Sequence, residues 1–257
     1  MSPQRIAHMS PMRHGFQAII LAAGKGTRMG SDLPKVLLSL AGRPVLAHVL
    51  DSLAQVGITR PVVVIGTGGE RVKETLGDCC IYTVQDEQLG SGHAVMCARD
   101  AAQGAENLLV MCGDSPLFRV ETIRSVMEAH LRERVTITLV AAVLDDPSGY
   151  GRILRTPNED VAGIVEEKLA SDEQKAISEI NGGLYAFDAP WLWENIGLMR
   201  RNEAGEECLT EMVDIALAQG RRVIAVTASP DEVAGINTRE QLRFAERVLL
   251  TRKKANL

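Results

Sequence analysis

The sequence lacks the features that direct proteins into or across a membrane. No apolar run approaches the ~20 residues that a membrane span needs, and residues 1–15 are polar, without the apolar core of a secretory signal peptide. The five cysteines are odd in number and none forms a CxxC pair, which argues against a disulfide framework or a zinc site. These absences predict a cytoplasmic protein with reduced thiols and no membrane partner.

The chain also lacks an excess of basic residues. Its 28 Lys and Arg residues are outnumbered by 33 Asp and Glu residues, which gives a formal net charge of -5. Because proteins that bind phosphate backbones usually present a basic face, we expect no nucleic-acid partner. An acidic protein can still bind a small anion where a few cations gather at one site.

Short apolar runs alternate with helical patterns over the first part of the chain. The 257 residues, of which 46% are hydrophobic, suffice for one large or two small domains. Strands are predicted at 17–23, 61–66, 81–84, 107–112 and 135–143. Helices are predicted at 42–57, 71–76, 91–102 and 120–132. This alternation predicts βαβ units, and therefore an α/β fold with a doubly wound, mainly parallel sheet.

The pattern changes after Asp145. Residues 149–188 contain short strand-like runs with Gly and Asn, which predict an antiparallel β lobe laid over the sheet edge as a wall of the substrate site. Helices return at 211–219 and from Thr238 to the end, where Leu242, Ala245, Val248 and Leu249 form one apolar face. We therefore expect a disordered leader at 1–15, one domain at 16–237 and a linker helix at 238–257.

A glycine-rich, cationic loop follows the first predicted strand. Residues 21–30 read LAAGKGTRMG and continue to Leu-Pro-Lys at 33–35. Gly24 and Gly26 permit close approach of the backbone to a phosphate. The loop carries three cations, Lys25, Arg28 and Lys35. It is neither a P-loop nor a Rossmann fingerprint, and a bare GxG would more often be a turn with solvated charges. The whole string is far more specific.

Further motifs follow in order along almost the whole chain. They lie at 85–94 (QDEQLGSGHA), 112–117 (CGDSPL), 149–153 (GYGRI), 164–168 (IVEEK), 179–183 (EINGG) and 235–237 (GIN). Together with the cationic loop they resemble the sugar-nucleotidyltransferase family, which has a glycosyltransferase-A-like, Rossmann-type fold with an antiparallel sugar-binding lobe. The resemblance is greatest to the uridylyltransferase domain of bacterial bifunctional enzymes that make UDP-N-acetylglucosamine.

The resemblance implies Mg²⁺-dependent transfer of UMP from UTP to N-acetylglucosamine 1-phosphate, with release of pyrophosphate. A sugar phosphate supplies its own anionic nucleophile, so the protein must supply alignment and charge neutralisation. This agrees with the lack of an evident Ser/His/Asp triad. Arg28 and Lys35 are the implied catalytic cations, and Asp114 and Asn237 the implied metal ligands. Taken alone, Asp114 would more often be a turn residue and Asn237 a helix cap.

Two sets of substrate-binding residues are implied in the same way. The nucleotide set comprises Leu21, Ala22, Ala23, Gly24, Lys25, Gln85, Gln88, Gly90 and Ser91. A glutamine amide offers a donor and an acceptor that match a uracil edge, and Ser91 keeps the hydroxyl of the threonine usual in the family. The sugar set comprises Gly151, Glu166, Asn181 and Thr210.

Departures from the family pattern leave the acceptor open. Cys112 replaces a tyrosine, Gly182 replaces a threonine or similar polar residue, and residues 207–211 have lost two tyrosines. These changes are either neutral in packing or alter the sugar pocket. The alternatives are another phosphorylated acceptor, such as glucose 1-phosphate, an alditol phosphate or molybdopterin, or a non-catalytic nucleotide-binding module. The intact Arg28, Lys35, Asp114 and Asn237 argue against the last.

Three remaining features are assigned no chemistry. His93 is interpreted as a loop or helix-start residue, Cys79 and Cys80 as strand packing, and residues 252–254 (RKK) as a solvated helix end favoured by the helix dipole. Because no hexapeptide β-helix repeat appears, we expect a monomer, with a trimer only if a β-helix domain follows this chain.

Overall fold

The computed structural model describes residues 15–24, 33–66 and 68–255. The predictions for the leader before residue 15 and for Lys25 and Arg28 lie outside these residues. Short 3-10 helices occur at Lys35–Leu37, Gly77–Cys79 and Ile196–Leu198.

The described residues form strands and helices in alternation. The strands are β1 (Phe16–Ala22), β2 (Ser39–Leu40), β3 (Arg43–Pro44), β4 (Val62–Ile65), β5 (Ile81–Val84), β6 (Asn107–Cys112), β7 (Ile137–Val143), β8 (Arg152–Arg155), β9 (Val161–Val165), β10 (Glu179–Asp188) and β11 (Val223–Thr227). The helices are α1 (Val45–Gln55), α2 (Gly69–Leu76), α3 (Ser91–Cys97), α4 (Val120–Glu133), α5 (Asp172–Lys175), α6 (Ala189–Asn195), α7 (Glu211–Ala218) and α8 (Arg239–Ala255).

Nine of these strands form one mixed sheet. Its order is β11-β7-β10-β6-β1-β4-β5, with β8 and β9 attached beside β10. Strands β6, β1, β4 and β5 are mutually parallel, as are β7 and β11. The predicted α/β fold with a mainly parallel sheet is therefore confirmed.

The position of β10 corrects one prediction. The antiparallel segment does not lie over the sheet edge, because β10 is inserted between β6 and β7 and pairs with both. Its residues 184–187 are buried on both faces, which explains why they read as a continuous apolar run. The β8–β9 hairpin lies beside β10, to which the pair Ile180–Arg152 joins it. The half-buried edge strand β11 was not predicted.

Helices cover both faces of the sheet because successive strand residues point to opposite sides. Ile20 belongs to the apolar cluster that contains residues of α1 and α4. Its neighbour Ile19 belongs to the cluster formed with α3, α6 and α7. Burying one such large aliphatic side chain contributes roughly 1.5–3 kcal/mol.

Helix α1 begins later than predicted, at Val45. Arg43 and Pro44 instead pair with Leu40 and Ser39 in a short hairpin. Ala41 and Gly42 both have positive φ, at 49° and 83°, as a tight two-residue hairpin turn requires. The turn therefore uses residues that the amphipathic pattern had assigned to the helix.

The last helix packs on the domain through the face predicted for it. Ala245 is fully buried, and Leu242, Val248 and Leu249 contact a cluster that includes Leu117. No helix among the described residues is both long and apolar enough to cross a membrane.

Candidate active site

The carboxyl ends of the parallel strands gather the predicted site, as open α/β sheets generally do. The turn after β6 lies directly against the end of β1, because the backbone N–H of Gly113 donates to the carbonyl of Leu21 across 2.9 Å. A side chain at Gly113 would bring its Cβ within 3.2 Å of the same carbonyl. The glycine thus permits the close approach of the two strand ends.

Lys35 brings the two predicted metal ligands together. Its ammonium group contacts Oδ2 of Asp114 and lies 2.8 Å from Oδ1 of Asn237. All three side chains come from distant parts of the sequence: the 3-10 helix after the cationic loop, the turn after β6 and the segment before α8. The structure therefore places the predicted catalytic lysine beside both predicted metal residues.

The chemistry of this pair fits a magnesium ion. One carboxylate oxygen and one amide oxygen converge on a single cationic group, and hard oxygen donors are the ligands that Mg²⁺ prefers. Among the described residues, no group of three or more His, Cys, Asp or Glu side chains is arranged to hold a metal. Two protein ligands would leave the remaining coordination positions to phosphate oxygens and water.

Cys112 borders this turn without being a nucleophile. Burial, and then the charge of Asp114, raise the pKa of its thiol to about 12. Since the thiolate is the reactive form of cysteine, a neutral thiol at this position is chemically inert.

Gln85 organises the loop that follows β5. Its side chain is buried, and its amide nitrogen lies 2.9 Å from the Gly90 carbonyl and 3.0 Å from Nδ1 of His93. A carbonyl can only accept, so the nitrogen of the amide must face Gly90. With the amide nitrogen fixed in this way, Oε1 is the polar atom of the Gln85 side chain that can act as an acceptor.

The other nucleotide residues of this loop also have internal partners. Gln88 donates from its amide to the Ala23 carbonyl across 2.6 Å, and this bond ties the loop to the end of β1. The hydroxyl of Ser91 accepts from the Leu209 backbone N–H at 2.9 Å. Gly90 has φ +106°, and an added Cβ would lie 2.5 Å from the carbonyl oxygen of Glu207. Only glycine fits there.

The predicted sugar residues form two adjoining pairs. Thr210 donates from its hydroxyl to Oε1 of Glu166 across 2.7 Å. The backbone N–H of Asn181 donates to the Gly151 carbonyl across 2.9 Å, and its side-chain amide donates to the Tyr185 hydroxyl. These contacts link β8, β9, β10 and the start of α7 into one wall.

A cavity of about 550 Å³ adjoins this wall. Glu166, Cys208 and Thr210 line it together with Arg200 and Asp214. Cys208, where the family has a tyrosine, therefore borders open space beside the predicted sugar contacts.

Gly182 has a packing explanation. A Cβ at this position would lie 2.8 Å from Cγ1 of Val140 and 2.9 Å from Cγ1 of Val233. The threonine usual in the family would not fit unless these valines moved. The neutral packing interpretation is therefore favoured for Gly182.

Sequence reasoning missed several residues that shape the site. Arg152 is almost fully buried, forms an ion pair with Glu167 at 2.7 Å, and donates to backbone carbonyls of Tyr150 and Lys175. The sequence signal for Arg152 is its place in the Gly-Tyr-Gly-Arg motif at 149–152. Cys80, directly before β5, is buried in the apolar core as the packing interpretation predicts, whereas Cys79 is exposed at the end of the preceding 3-10 helix.

The sheet is mainly parallel, and the ends of its strands bring together a lysine, a carboxylate–amide pair and loops that contain glycine. This combination of fold and site defines the class of the protein. The class is that of the nucleotidyltransferases. A family model described as the MobA-like NTP transferase domain matches residues 18–168. The chain belongs to this family, and the resemblance to sugar nucleotidyltransferases is confirmed.

Two curated relatives of this chain carry the same name. It is 47% identical over 242 residues to the bifunctional protein GlmU of Heliobacterium modesticaldum, covering 93% of this chain and 53% of that protein. It is 46% identical over 251 residues to GlmU of Syntrophotalea carbinolica, covering 96% and 54%. The chain thus spans about half the length of the curated relatives it matches.

A solved structure supports the fold. A Bacillus anthracis protein assigned as a glucose-1-phosphate thymidylyltransferase, determined with a sucrose, aligns with a TM-score of 0.76. The alignment covers 91% of this chain and 94% of that chain at 23% identity.

Proposed function

We propose that this chain transfers UMP from UTP to N-acetylglucosamine 1-phosphate, giving UDP-N-acetylglucosamine and pyrophosphate, with Mg²⁺ as cofactor. The observation that carries the proposal is the convergence of Lys35, Asp114 and Asn237 at the carboxyl end of β6. The name of the curated relatives supports the same reaction.

The reaction needs no nucleophile from the protein. An oxygen of the sugar phosphate forms a bond to the α-phosphorus of UTP, and the bond from that phosphorus to the bridging oxygen of pyrophosphate breaks. No proton must be transferred, so the protein acts by alignment and by stabilising charge. Held by Asp114 and Asn237, Mg²⁺ would neutralise phosphate charge. Lys35 can donate its ammonium hydrogens to the phosphates from the same place.

Gln85 supports a preference for uracil. With its amide nitrogen fixed by Gly90 and His93, its oxygen presents an acceptor to the bound base. Uracil carries a hydrogen on N3 that can be donated to this oxygen, whereas cytosine does not. The buried position of Gln85 strengthens the discrimination, because a mismatched base would leave the oxygen unpaired.

Glu166 and Asn181 are the proposed contacts to the sugar. A carboxylate can accept from a hexose hydroxyl, and an amide can pair with an acetamido group. Thr210 holds the Glu166 carboxylate in place. The Asn181 side chain is held by the Tyr185 hydroxyl and by the backbone N–H of Gly183.

One observation favours a second candidate acceptor. The cavity of about 550 Å³ beside Glu166 is lined by Cys208 and offers room beyond these sugar contacts. A hexose 1-phosphate with a bulkier substituent is therefore the alternative within the same reaction.

Pyrophosphate release from UTP and Mg²⁺ across a panel of acceptors tests the proposal. The panel comprises N-acetylglucosamine, glucosamine, glucose and alditol phosphates. We expect the highest kcat/KM with N-acetylglucosamine 1-phosphate. If the folded protein releases no pyrophosphate with any acceptor, the enzymatic proposal is refuted in favour of a binding module.

A further inference from the structure

The last helix contacts both loops that carry the candidate metal ligands. Its apolar face packs against Leu117, in the turn that follows Asp114, and against Ile236, which directly precedes Asn237. Both contact residues are fully buried. Helix α8 therefore packs against both loops that carry the candidate metal ligands.

Hydrogen bonds connect the same three segments. The backbone N–H of Ile236 donates to the carbonyl of Asp114 across 2.9 Å. In the first turn of α8, Oε1 of Gln241 accepts from the backbone N–H groups of Asn237 and Thr238 at 2.7 and 3.0 Å. The backbones of Asp114 and Asn237 are thus tied to each other and to the helix start.

Arg252, near the other end of α8, joins the two loops a second time. Its Nη1 donates to the Leu117 carbonyl across 2.6 Å, and its Nη2 donates to Oδ2 of Asp231 across 2.7 Å. The side chain is 22% exposed, so its interpretation as a solvated helix end is wrong, although Lys253 and Lys254 are exposed. One planar guanidinium spans both acceptors, which a single ammonium nitrogen cannot do with the same geometry.

Asp231 is held in its charged form for this contact. Burial alone would raise the pKa of its carboxyl group, but the hydrogen bond and charge of Arg252 and the charge of Arg119 lower it overall. Arg119, at the start of α4, lies 3.5 Å from the same carboxylate. The segment that leads to Asn237 is therefore fixed by two arginines.

We propose that Arg252 is a positioning residue that sets the spacing of Asp114 and Asn237 and thereby the metal affinity of the site. The inference rests on the proposed function, which assigns these two residues to the metal. Mg²⁺ demands near-ideal octahedral geometry at about 2.0–2.1 Å, so a small shift of one loop relative to the other weakens binding. Loss of a hydrogen bond made directly to a metal ligand typically costs about 10–100-fold in metal affinity. Arg252 acts one contact further out, through Leu117 and Asp231, so we expect an effect at the lower end of this range.

The test compares two arginines of the same helix. Arg252→Met keeps the aliphatic stem and removes the guanidinium. Arg247→Met is the matched control. The guanidinium carbon of Arg247 lies 6.0 Å from the Phe244 ring centroid. Within the described residues, the Arg247 side chain makes no hydrogen bond to either loop. Mn²⁺ binding is measured by electron paramagnetic resonance in the presence of UTP and without acceptor.

We expect Arg252→Met to raise the Mn²⁺ Kd by about 10-fold, the lower end of the range for contacts to the ligands themselves. Arg252→Lys should have a smaller effect, and Arg247→Met should leave the Kd unchanged. The Mg²⁺ concentration for half-maximal rate should rise in parallel, while kcat at saturating Mg²⁺ returns towards the wild-type value. An unchanged Mn²⁺ Kd in folded Arg252→Met would overturn the proposal, because a purely stabilising role lowers Tm alone.

Asp231→Asn keeps the proposal testable if Arg252→Met does not fold. It weakens one of the two bonds and leaves the bond to Leu117, so a smaller increase in Kd supports the proposal and no increase overturns it. Because the Mn²⁺ measurement needs no turnover, it remains informative if no acceptor is found. Absence of turnover in the wild type would refute the proposed function and not the role of Arg252.

Discussion

Gln85 donates from its side-chain amide to Nδ1 of His93 across 3.0 Å, which assigns the hydrogen of that ring to Nε2. The same amide nitrogen donates to the Gly90 carbonyl, so its orientation is fixed from two sides. His93, interpreted from sequence only as a loop or helix-start residue, therefore orients the side chain proposed to recognise the base.

Removing the acceptor at His93 should relax base selectivity. In His93→Leu one amide hydrogen of the buried Gln85 loses its partner, a cost of about 1–3 kcal/mol, which limits the loss of selectivity to roughly 5- to 150-fold. We expect the ratio of kcat/KM for UTP over CTP to fall accordingly. His93→Asn, which can place an oxygen near the former Nδ1, should restore much of it. An unchanged ratio in His93→Leu would show that the loop orients Gln85 without the histidine.

Asp114→Ala should lower kcat by at least about 10²-fold, the scale of losing one electrostatic contact in the transition state. Asn237→Ala should have a milder effect, because a neutral ligand is lost, and EDTA should abolish the wild-type activity. Initial rates of pyrophosphate release measure all three. Asp145→Ala is the control, since this carboxylate is exposed and remote in sequence from both loops. Full activity in EDTA would rule out a metal-dependent mechanism.

Lys35→Met should lower kcat more than it raises the KM for the sugar phosphate, because negative charge develops on the departing pyrophosphate and the ammonium group can stabilise it there. The expected loss is again on the order of 10²-fold. Steady-state kinetics with varied acceptor separate the two parameters, and Lys253→Met, an exposed lysine on α8, serves as control. An effect confined to the acceptor KM would place Lys35 on the sugar side.

The bounds predicted for β5 and β6 agree with the structure. The sequence motifs also assigned Lys35, Asp114 and Asn237 to one site, as a catalytic cation and two metal ligands. Buried parallel strands appear as local apolar runs, and loops at strand ends carry compact motifs, so both signals are local in sequence. For the same reason the order of the motifs along the chain was sufficient to indicate the family.

Several of the contacts that sequence reasoning missed are nonlocal. The insertion of β10 between β6 and β7 depends on pairing across the whole sheet, and its apolar run at 184–187 indicates a buried strand without indicating its neighbours. The bonds from Arg252 to Leu117 and Asp231 likewise join residues that only the tertiary fold brings together. A run of basic residues at a helix end favoured the solvated interpretation.

His130 should make the protein sensitive to mild acid. Burial lowers the pKa of this histidine from 6.5 to about 4, and its Nδ1 contacts the Thr138 hydroxyl at 3.1 Å. Because the folded pKa lies below the unfolded one, the unfolded state binds more protons between pH 6.5 and 4, and stability falls as the pH drops through this window. The loss approaches ~3 kcal/mol at pH 4. Urea unfolding from pH 7 to 4 should show a shallower decline in His130→Gln, whereas parallel curves would contradict the assignment.

Gly182→Thr should destabilise the protein rather than improve sugar binding. The new Cβ would lie within 3 Å of methyl groups on Val140 and Val233, and overpacking of this kind typically costs about 1–3 kcal/mol. Val233→Ala removes one of these methyl groups, so the double variant should regain part of the lost stability, and the coupling between the two changes should be favourable. Urea unfolding of the wild type, both single variants and the double variant measures this coupling. If Gly182→Thr instead leaves stability unchanged and raises kcat/KM for N-acetylglucosamine 1-phosphate, packing does not require glycine at this position. The glycine then alters the sugar pocket.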